Sequence, residues 1–113
     1  MTSIFFNVRS KFGKTIRLTK TIWHNKILVE HPEFGDRDEY VDQLRETIEH
    51  PEYIVKGWTG EYLALRWCEI APKSPKYLCV VYRELNNEGF IITAFFISKY
   101  EKLLKRGIAW REA

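Results

Sequence analysis

The chain is poor in the residues on which metal centres and disulfide frameworks depend. Among its 113 residues there are two cysteines, Cys68 and Cys79, without C-x-x-C spacing, and three histidines without His-x-x-His spacing. Neither a zinc site nor a disulfide framework is indicated, so we expect two buried free thiols. A glycine-rich phosphate loop, a Walker sequence and a G-x-S-x-G elbow are also missing. These absences predict a protein that binds no metal and no cofactor.

Long apolar segments are missing as well. No apolar run approaches the roughly 20 residues that a membrane-spanning helix needs, and the first residues lack the apolar stretch of a secretory signal. We therefore expect a cytoplasmic protein without a membrane partner. The length of 113 residues is close to the modal size of a domain and suffices for a hydrophobic core, so we expect one domain over residues 1–113.

Positive charge and aromatic side chains are what the chain does contain. Its net charge is +3, and it has four tryptophans, six tyrosines and seven phenylalanines. Basic residues concentrate in positions 9–20 and 99–111, whereas positions 30–52 are acidic. This distribution allows a nucleic-acid partner without requiring one, because such binding depends on a clustered basic patch. An ordinary solvated surface is the alternative interpretation.

The hydrophobic periodicity predicts two helices near the middle of the chain. Helical spacing over 19–30, with Thr19 or Thr21 as the N-terminal cap, ends at Pro32, which disfavours the helical conformation of the residue before it. A second helix is predicted over 38–49, with Asp36 or Asp38 as its N-terminal cap. A further helical turn is possible after residue 98.

Strand composition is found on both sides of these helices. The segments rich in aromatic and β-branched residues are 4–8, 15–19, 53–55, 62–70, 77–85 and 90–97. The first two are separated by a turn at Gly13 and predict a β-hairpin. Because helices and strands are segregated along the chain, we predict an α+β fold in which an N-terminal β-hairpin and two helices pack on a four-stranded antiparallel sheet.

Two histidines are candidates for acid–base chemistry. His24 and His31 are seven residues apart, which on a helix is about two turns, so they are expected on nearly the same side. Cleavage of RNA by its own 2′-OH needs a base for the hydroxyl and an acid for the leaving 5′ oxygen, and imidazole can serve as either. The alternative interpretation for each histidine alone is a surface or capping residue.

Polar residues in apolar strands are the second group of candidates. Thr93 is the only polar side chain in its strand, and a buried hydroxyl is costly unless it bonds something. It either satisfies a neighbouring backbone group or binds a phosphate. Arg66 and Arg83 lie in strands and are candidate phosphate ligands. Ion pairs with Glu61, Glu69 or Glu84 are the ordinary alternative. Two lysines of the basic C-terminal segment, Lys99 and Lys102, are further candidates for substrate binding.

Four segments resemble motifs of the phage-barnase–EndoU–colicin–RelE-like (BECR) nuclease family. WHNKI at 23–27 with HPE at 31–33 is similar to the family's W-H-x-x-I…HPE helix, and TIEHPEYI at 47–54 is similar to its T-I-x-x-P-x-x-I. KYLCVVYR at 76–83 resembles the strand y-L-x-V-V-x-K, and GFIITAF at 89–95 resembles F-I-I-T-A-Y. The resemblance covers most of the chain.

The resemblance implies a metal-independent endoribonuclease, often a toxin that is held by an antitoxin or immunity protein. By position, His24 and His31 correspond to the helix histidines, Arg83 to a strand cation and Thr93 to a strand hydroxyl. Arg83 stands where the family pattern has lysine, and either residue supplies a cation. Phe95 stands where the pattern has tyrosine, so a chemical role of that hydroxyl would be lost here.

Three functional hypotheses follow. The first is a toxin-type ribonuclease that cuts RNA through the 2′-OH. The second is a catalytically inactive module of the same fold that binds RNA or a protein. The third is a ribosome-dependent cutter of messenger RNA. The oligomeric state cannot be predicted from the sequence.

Overall fold

The structure is a computed structural model, and it describes residues 3–71 and 76–113. Its strands are β1 (Ile4–Arg9), β2 (Thr15–Thr19), β3 (Tyr53–Lys56), β4 (Tyr62–Trp67), β5 (Tyr77–Glu84), β6 (Glu88–Ile97) and β7 (Ile108–Arg111). Its helices are α1 (20–30), α2 (Asp38–Glu49) and α3 (Glu101–Leu104), with a 3₁₀ turn at Pro32–Phe34. The fold is α+β, as predicted. No helix in these described ranges is long and apolar enough to cross a membrane.

The sheet is larger than the predicted four-stranded antiparallel sheet, and it is mixed. Its seven strands have the order β1-β2-β6-β5-β4-β3-β7. The four strands predicted after the helices do lie side by side in antiparallel pairs. The prediction was wrong because the N-terminal hairpin joins the same sheet through a parallel pairing of β2 with the start of β6. Strand β7, which the sequence pattern did not predict, adds to the other edge beside β3.

Helix α1 continues directly from β2 and passes along β6. The Thr19 hydroxyl accepts a hydrogen bond from the Ile22 amide at 3.1 Å, which caps the helix start as the sequence predicts. The helix consists of α turns at Lys20–Ile22 and Leu28–Glu30 around a π turn at Trp23–Ile27. It ends before Pro32, where the proline excludes a further helical residue.

Helix α2 has the predicted bounds, but neither predicted aspartate caps it. Arg37 occupies the capping position without a capping hydrogen bond from its side chain, which instead donates to the Glu39 carboxylate at 2.8 Å. The Asp36 carboxylate instead accepts a hydrogen bond from Trp23 Nε1 at 2.9 Å, which ties the loop to α1. Asp36 was an incorrect choice of cap because this tertiary contact is not visible in a local sequence pattern.

Helices α1 and α2 cover one side of the sheet, which we call the helical face. Its core holds Trp23, Ile27, Phe34, Leu44, Ile48 and Tyr82, all nearly or completely buried. We call the opposite side the open face. There a smaller cluster is formed by Val55, Leu63, Leu65 and Cys79, and α3 covers only part of it. Half-buried side chains such as Val81 and Phe95 complete the open face.

Candidate functional site

Two of the predicted site residues, Arg83 and Thr93, lie in strands on the open face. Val81 of β5 pairs with Thr93 of β6, and Cys79 pairs with Phe95. Because side chains alternate along a strand, Val81 and Arg83 share a face, and Thr93 and Phe95 share it with them. Arg83 itself pairs with Phe90, beyond an irregularity in the register that follows the Val81–Thr93 pair, so Arg83 and Thr93 share this face without being directly paired.

His31 joins this group from the end of α1. Its ring centroid lies 5.8 Å from that of Phe95. His31 has already left the helical conformation, with φ −134° and ψ 71°, which lets its side chain turn towards the sheet. The imidazole is 28% exposed, and its Nδ1 lies 3.9 Å from a Glu33 carboxylate oxygen. His31 is thus accessible and adjoins the strand that carries Thr93.

His24 has a different set of neighbours from His31. Its ring lies 5.8 Å from Phe5 of β1, and its Nε2 is 3.4 Å from Asp36 Oδ1. The expected alignment assumed a regular α-helix, whereas the π turn between the two histidines advances the chain by a smaller angle per residue. The structure therefore does not bring the two imidazoles to a common set of contacts.

Arg83 is engaged by the loop between β3 and β4. Its guanidinium donates to the Thr59 carbonyl at 2.9 Å and lies 3.5 Å from a Glu61 carboxylate oxygen. The ion pair with Glu61 is the ordinary alternative that the sequence analysis left open. Arginine has five donors in a fixed fork, so the group keeps donors for a ligand, but its first role here is to hold the loop.

Arg66 lies on the helical face, away from Arg83. It follows Leu65 of the open face by one residue, and neighbouring strand residues point to opposite sides. Its guanidinium donates to the His50 carbonyl at the end of α2 at 2.7 Å. Arg66 therefore stabilises a helix terminus, and the sheet separates it from Arg83 and Thr93.

Thr93 has a polar atom that the fold leaves without a partner. Its Oγ1 is one of two buried side-chain polar atoms in the described residues that make no hydrogen bond; the other is the Tyr82 hydroxyl on the helical face. Buried polar atoms in native proteins normally have a partner, so each exception needs an explanation. The sequence allows a hydrogen bond from the Thr93 hydroxyl to a neighbouring backbone group, but in the structure this hydroxyl makes no such hydrogen bond.

Two adjoining cavities extend the open face towards α3. The first, of about 270 Å³, is lined by one acid, one cation and five apolar side chains, namely Glu61, Arg106, Leu63, Val81, Ile92, Phe95 and Leu103. The second, of about 520 Å³, is lined by Gly57, Trp58, Lys102, Lys105 and Arg106. Arg106 lines both cavities, so they adjoin, and we call the pair, which reaches from Phe95 to Trp58, the basic groove.

Sequence reasoning found some of the groove residues and missed others. Of the two lysines predicted to bind substrate, Lys102 lines the groove, whereas Lys99 is exposed beyond the end of β6 and lines neither cavity. Trp58 and Arg106 were not selected as site residues. The available signal for Trp58 was an aromatic residue between the turn residues Gly57 and Gly60, where it has little chance of burial.

The two thiols are buried, as predicted, and do not belong to the groove. Burial raises the pKa of Cys68 and raises the pKa of Cys79 to about 12. A thiol acts as a nucleophile only as the thiolate, so neither cysteine is a catalytic candidate. Among residues 3–71 and 76–113 there is also no group of three or more His, Cys, Asp and Glu side chains arranged to hold a metal ion.

Comparison with known proteins gave no match: no family model, no curated protein and no solved structure matches this chain. The function must therefore be argued from the residues of the chain and their arrangement.

Proposed function

We propose that the protein is a metal-independent endoribonuclease that cuts RNA bound on the open face of the sheet. The observation that carries this proposal is the placement of His31, Phe95, Thr93 and Arg83 on one face beside the basic groove, with the His31 imidazole 28% exposed. The resemblance to BECR nucleases supports the same activity from the sequence side.

His31 is the proton-transfer residue in this proposal. Its imidazole takes the proton of the RNA 2′-OH, and the 2′ oxygen forms a bond to phosphorus while the bond from phosphorus to the 5′ oxygen breaks. The leaving 5′ oxygen takes a proton from water, and the imidazolium returns its proton to solvent. The products are a 2′,3′-cyclic phosphate and a 5′-OH. The Thr93 hydroxyl, which is buried and without a partner in the free protein, donates to a non-bridging oxygen once RNA binding has moved the side chains that cover it.

A second candidate function is a catalytically inactive RNA-binding module. It is favoured by the separate contacts of His24 and His31, and by the engagement of both strand arginines with carbonyl groups of the protein. Phe95 also favours the inactive module, because the family pattern has a tyrosine at this position and its hydroxyl is missing here.

The decisive experiment is incubation of purified protein with total RNA in EDTA, beside single histidine variants. We expect His31→Ala to lower the cleavage rate at least about 100-fold, the usual contribution of a positioned acid–base group. His50→Ala is the matched control, because His50 is exposed at the end of α2, and it should cleave like the parent.

His24→Ala separates one-histidine from two-histidine chemistry. A small effect agrees with the neighbours that the structure gives His24, whereas a loss as large as that of His31→Ala would reinstate the histidine pair. If the parent protein cleaves no RNA, even with ribosomes added, the ribonuclease hypothesis is rejected in favour of the RNA-binding module.

A further inference from the structure

The loop between β3 and β4 displays an unusually exposed tryptophan. The Trp58 residue is 80% exposed, more than any other large hydrophobic residue that the structure describes. Arg106 places its guanidinium carbon 5.1 Å from the centroid of the indole ring. An aromatic face beside a guanidinium is the arrangement on which nucleic-acid bases stack.

The loop that carries Trp58 is held in one shape by its own contacts. The Gly57 amide donates to the Glu61 carbonyl at 2.8 Å, and the Thr59 amide donates to the Glu61 carboxylate at 3.2 Å. The Thr59 hydroxyl donates to the same carboxylate, and Arg83 binds the loop from β5. A Cβ on Gly57 would lie 1.9 Å from Glu61 Oε1, so the glycine leaves room for this carboxylate in its position within the loop. Trp58 is therefore presented by a preorganised loop rather than by a free chain.

The cavity next to Trp58 has a one-sided charge. Its described lining residues are Trp58, Gly57 and three cations, namely Lys102, Lys105 and Arg106, without an acid. Its volume of about 520 Å³ is within the range of small-ligand sites. A ligand that complements it must combine a flat aromatic group with negative charge, and a nucleotide of RNA has both.

We propose that Trp58 and Arg106, with Lys102 and Lys105, form a subsite that stacks one unpaired RNA base and binds the phosphates beside it. The inference rests on the proposed function in taking RNA as the ligand. It adds that single-stranded RNA is preferred, because a base within a duplex is already stacked and cannot lie on Trp58. Arg106 joins this subsite to the part of the groove that ends at Phe95 and His31.

The test measures binding without cleavage, in a His31→Ala background. The probe is a short fluorescein-labelled single-stranded RNA, compared with the same sequence in a blunt duplex. We expect Trp58→Ala to weaken binding of the single strand about tenfold, as expected for loss of one base–aromatic stack, and Trp58→Phe to restore most of the affinity. Equal affinity of parent and Trp58→Ala would overturn the subsite, as would equal affinity of the parent for single strand and duplex.

The salt dependence of binding separates the stacking and phosphate contributions. Each phosphate contact contributes about 0.7 to the slope of log K against log salt for a single strand. A Lys102→Gln/Lys105→Gln double variant should therefore lower the slope by about 1.4, whereas Trp58→Ala should leave it unchanged. Lys20→Gln, at the start of α1, is the control for loss of a positive charge outside the subsite. A slope unchanged in the double variant would contradict the phosphate role.

The two proposals fail in different ways. If the parent binds single-stranded RNA through Trp58 but does not cut it, the subsite stands and the ribonuclease falls. If the parent cuts RNA while Trp58→Ala binds as tightly as the parent, the ribonuclease stands and the subsite falls. Binding of an acidic protein in place of RNA would overturn the subsite.

Discussion

The two faces of the sheet divide stability and proposed function between them. On the helical face, α1 and α2 bury large side chains such as Trp23, Phe34 and Leu44 completely. On the open face, the buried cluster is small, α3 is a single short helix, and Trp58 stands in solvent. A closed apolar core yields most of the folding free energy, whereas a binding surface must leave polar and aromatic groups accessible. The comparison predicts that similar substitutions mainly lower stability on the helical face and mainly lower RNA binding or cleavage on the open face.

The largest difference is expected between two tryptophans. Trp23 is completely buried on the helical face, so Trp23→Ala should destabilise the protein by about 3–5 kcal/mol. Trp58→Ala should change the free energy of unfolding by less than about 0.5 kcal/mol, because the side chain is exposed. Urea denaturation of both variants measures the difference. Similar losses in the two variants would mean that Trp58 is part of the core in solution.

Two glycines provide the next comparison. A Cβ on Gly89 would lie 2.2 Å from the Arg83 carbonyl oxygen and 2.6 Å from Ile16 Cδ1. We expect Gly89→Ala to cost about 1–3 kcal/mol, because backbone must move. A Cβ on Gly57 meets only the flexible Glu61 side chain, so Gly57→Ala should cost less stability but weaken RNA binding by disturbing the loop. Thermal unfolding and RNA affinity should rank the two variants in opposite orders.

The hydroxyls of Tyr82 and Thr93, which both lack a hydrogen-bond partner, allow a smaller comparison of the helical face with the open face. Tyr82→Phe removes a hydroxyl buried on the helical face and should leave stability equal or raised by up to about 1 kcal/mol, with cleavage unchanged. Thr93→Val should be equally harmless to stability but should lower the cleavage rate about tenfold or more, since a donor to the phosphate is lost. A Thr93→Val protein with the parent's rate would remove Thr93 from the mechanism.

The smallest expected effect is the acid sensitivity of the Trp58 loop. Hydrogen bonds from Thr59 lower the pKa of Glu61 from 4.5 to about 2. Because the folded loop favours the carboxylate, its contribution is complete above about pH 4.5 and is lost as the pH falls through about 2. Hydrogen exchange of the Gly57 and Thr59 amides should therefore lose protection over this interval, and Glu61→Gln should abolish the pH dependence. Protection that is constant with pH in the parent would contradict this assignment.

The parts of the fold that sequence predicted well depend on neighbours along the chain. The bounds of α2, the cap at Thr19 and the stop before Pro32 were confirmed, because caps, prolines and i, i+4 stripes act within one or two helical turns. Strand β7 was missed because its four residues give a weak signal and become a strand only by pairing with β3.

The candidate site was predicted less completely, and for a geometric reason. His31, Arg83 and Thr93 do share the open face, but Arg66 lies behind the sheet and His24 contacts β1 and Asp36. A strand residue changes face with a shift of one position, and a single π turn redirects a helix residue, so small local features decide which candidates meet.

The sequence by itself determined the α+β class, the bounds of α2, the end of α1 before Pro32, and which residue types are available for chemistry. These follow from short-range backbone preferences and from hydrophobic periodicity. Only the tertiary structure decided that the N-terminal hairpin extends the sheet in parallel with β6, that Arg83 and Glu61 hold the Trp58 loop, and that Arg106 joins Trp58 to the open face. The physical reason is that strand order and side-chain convergence depend on contacts between distant segments, whose stabilisation appears only when the whole chain has packed.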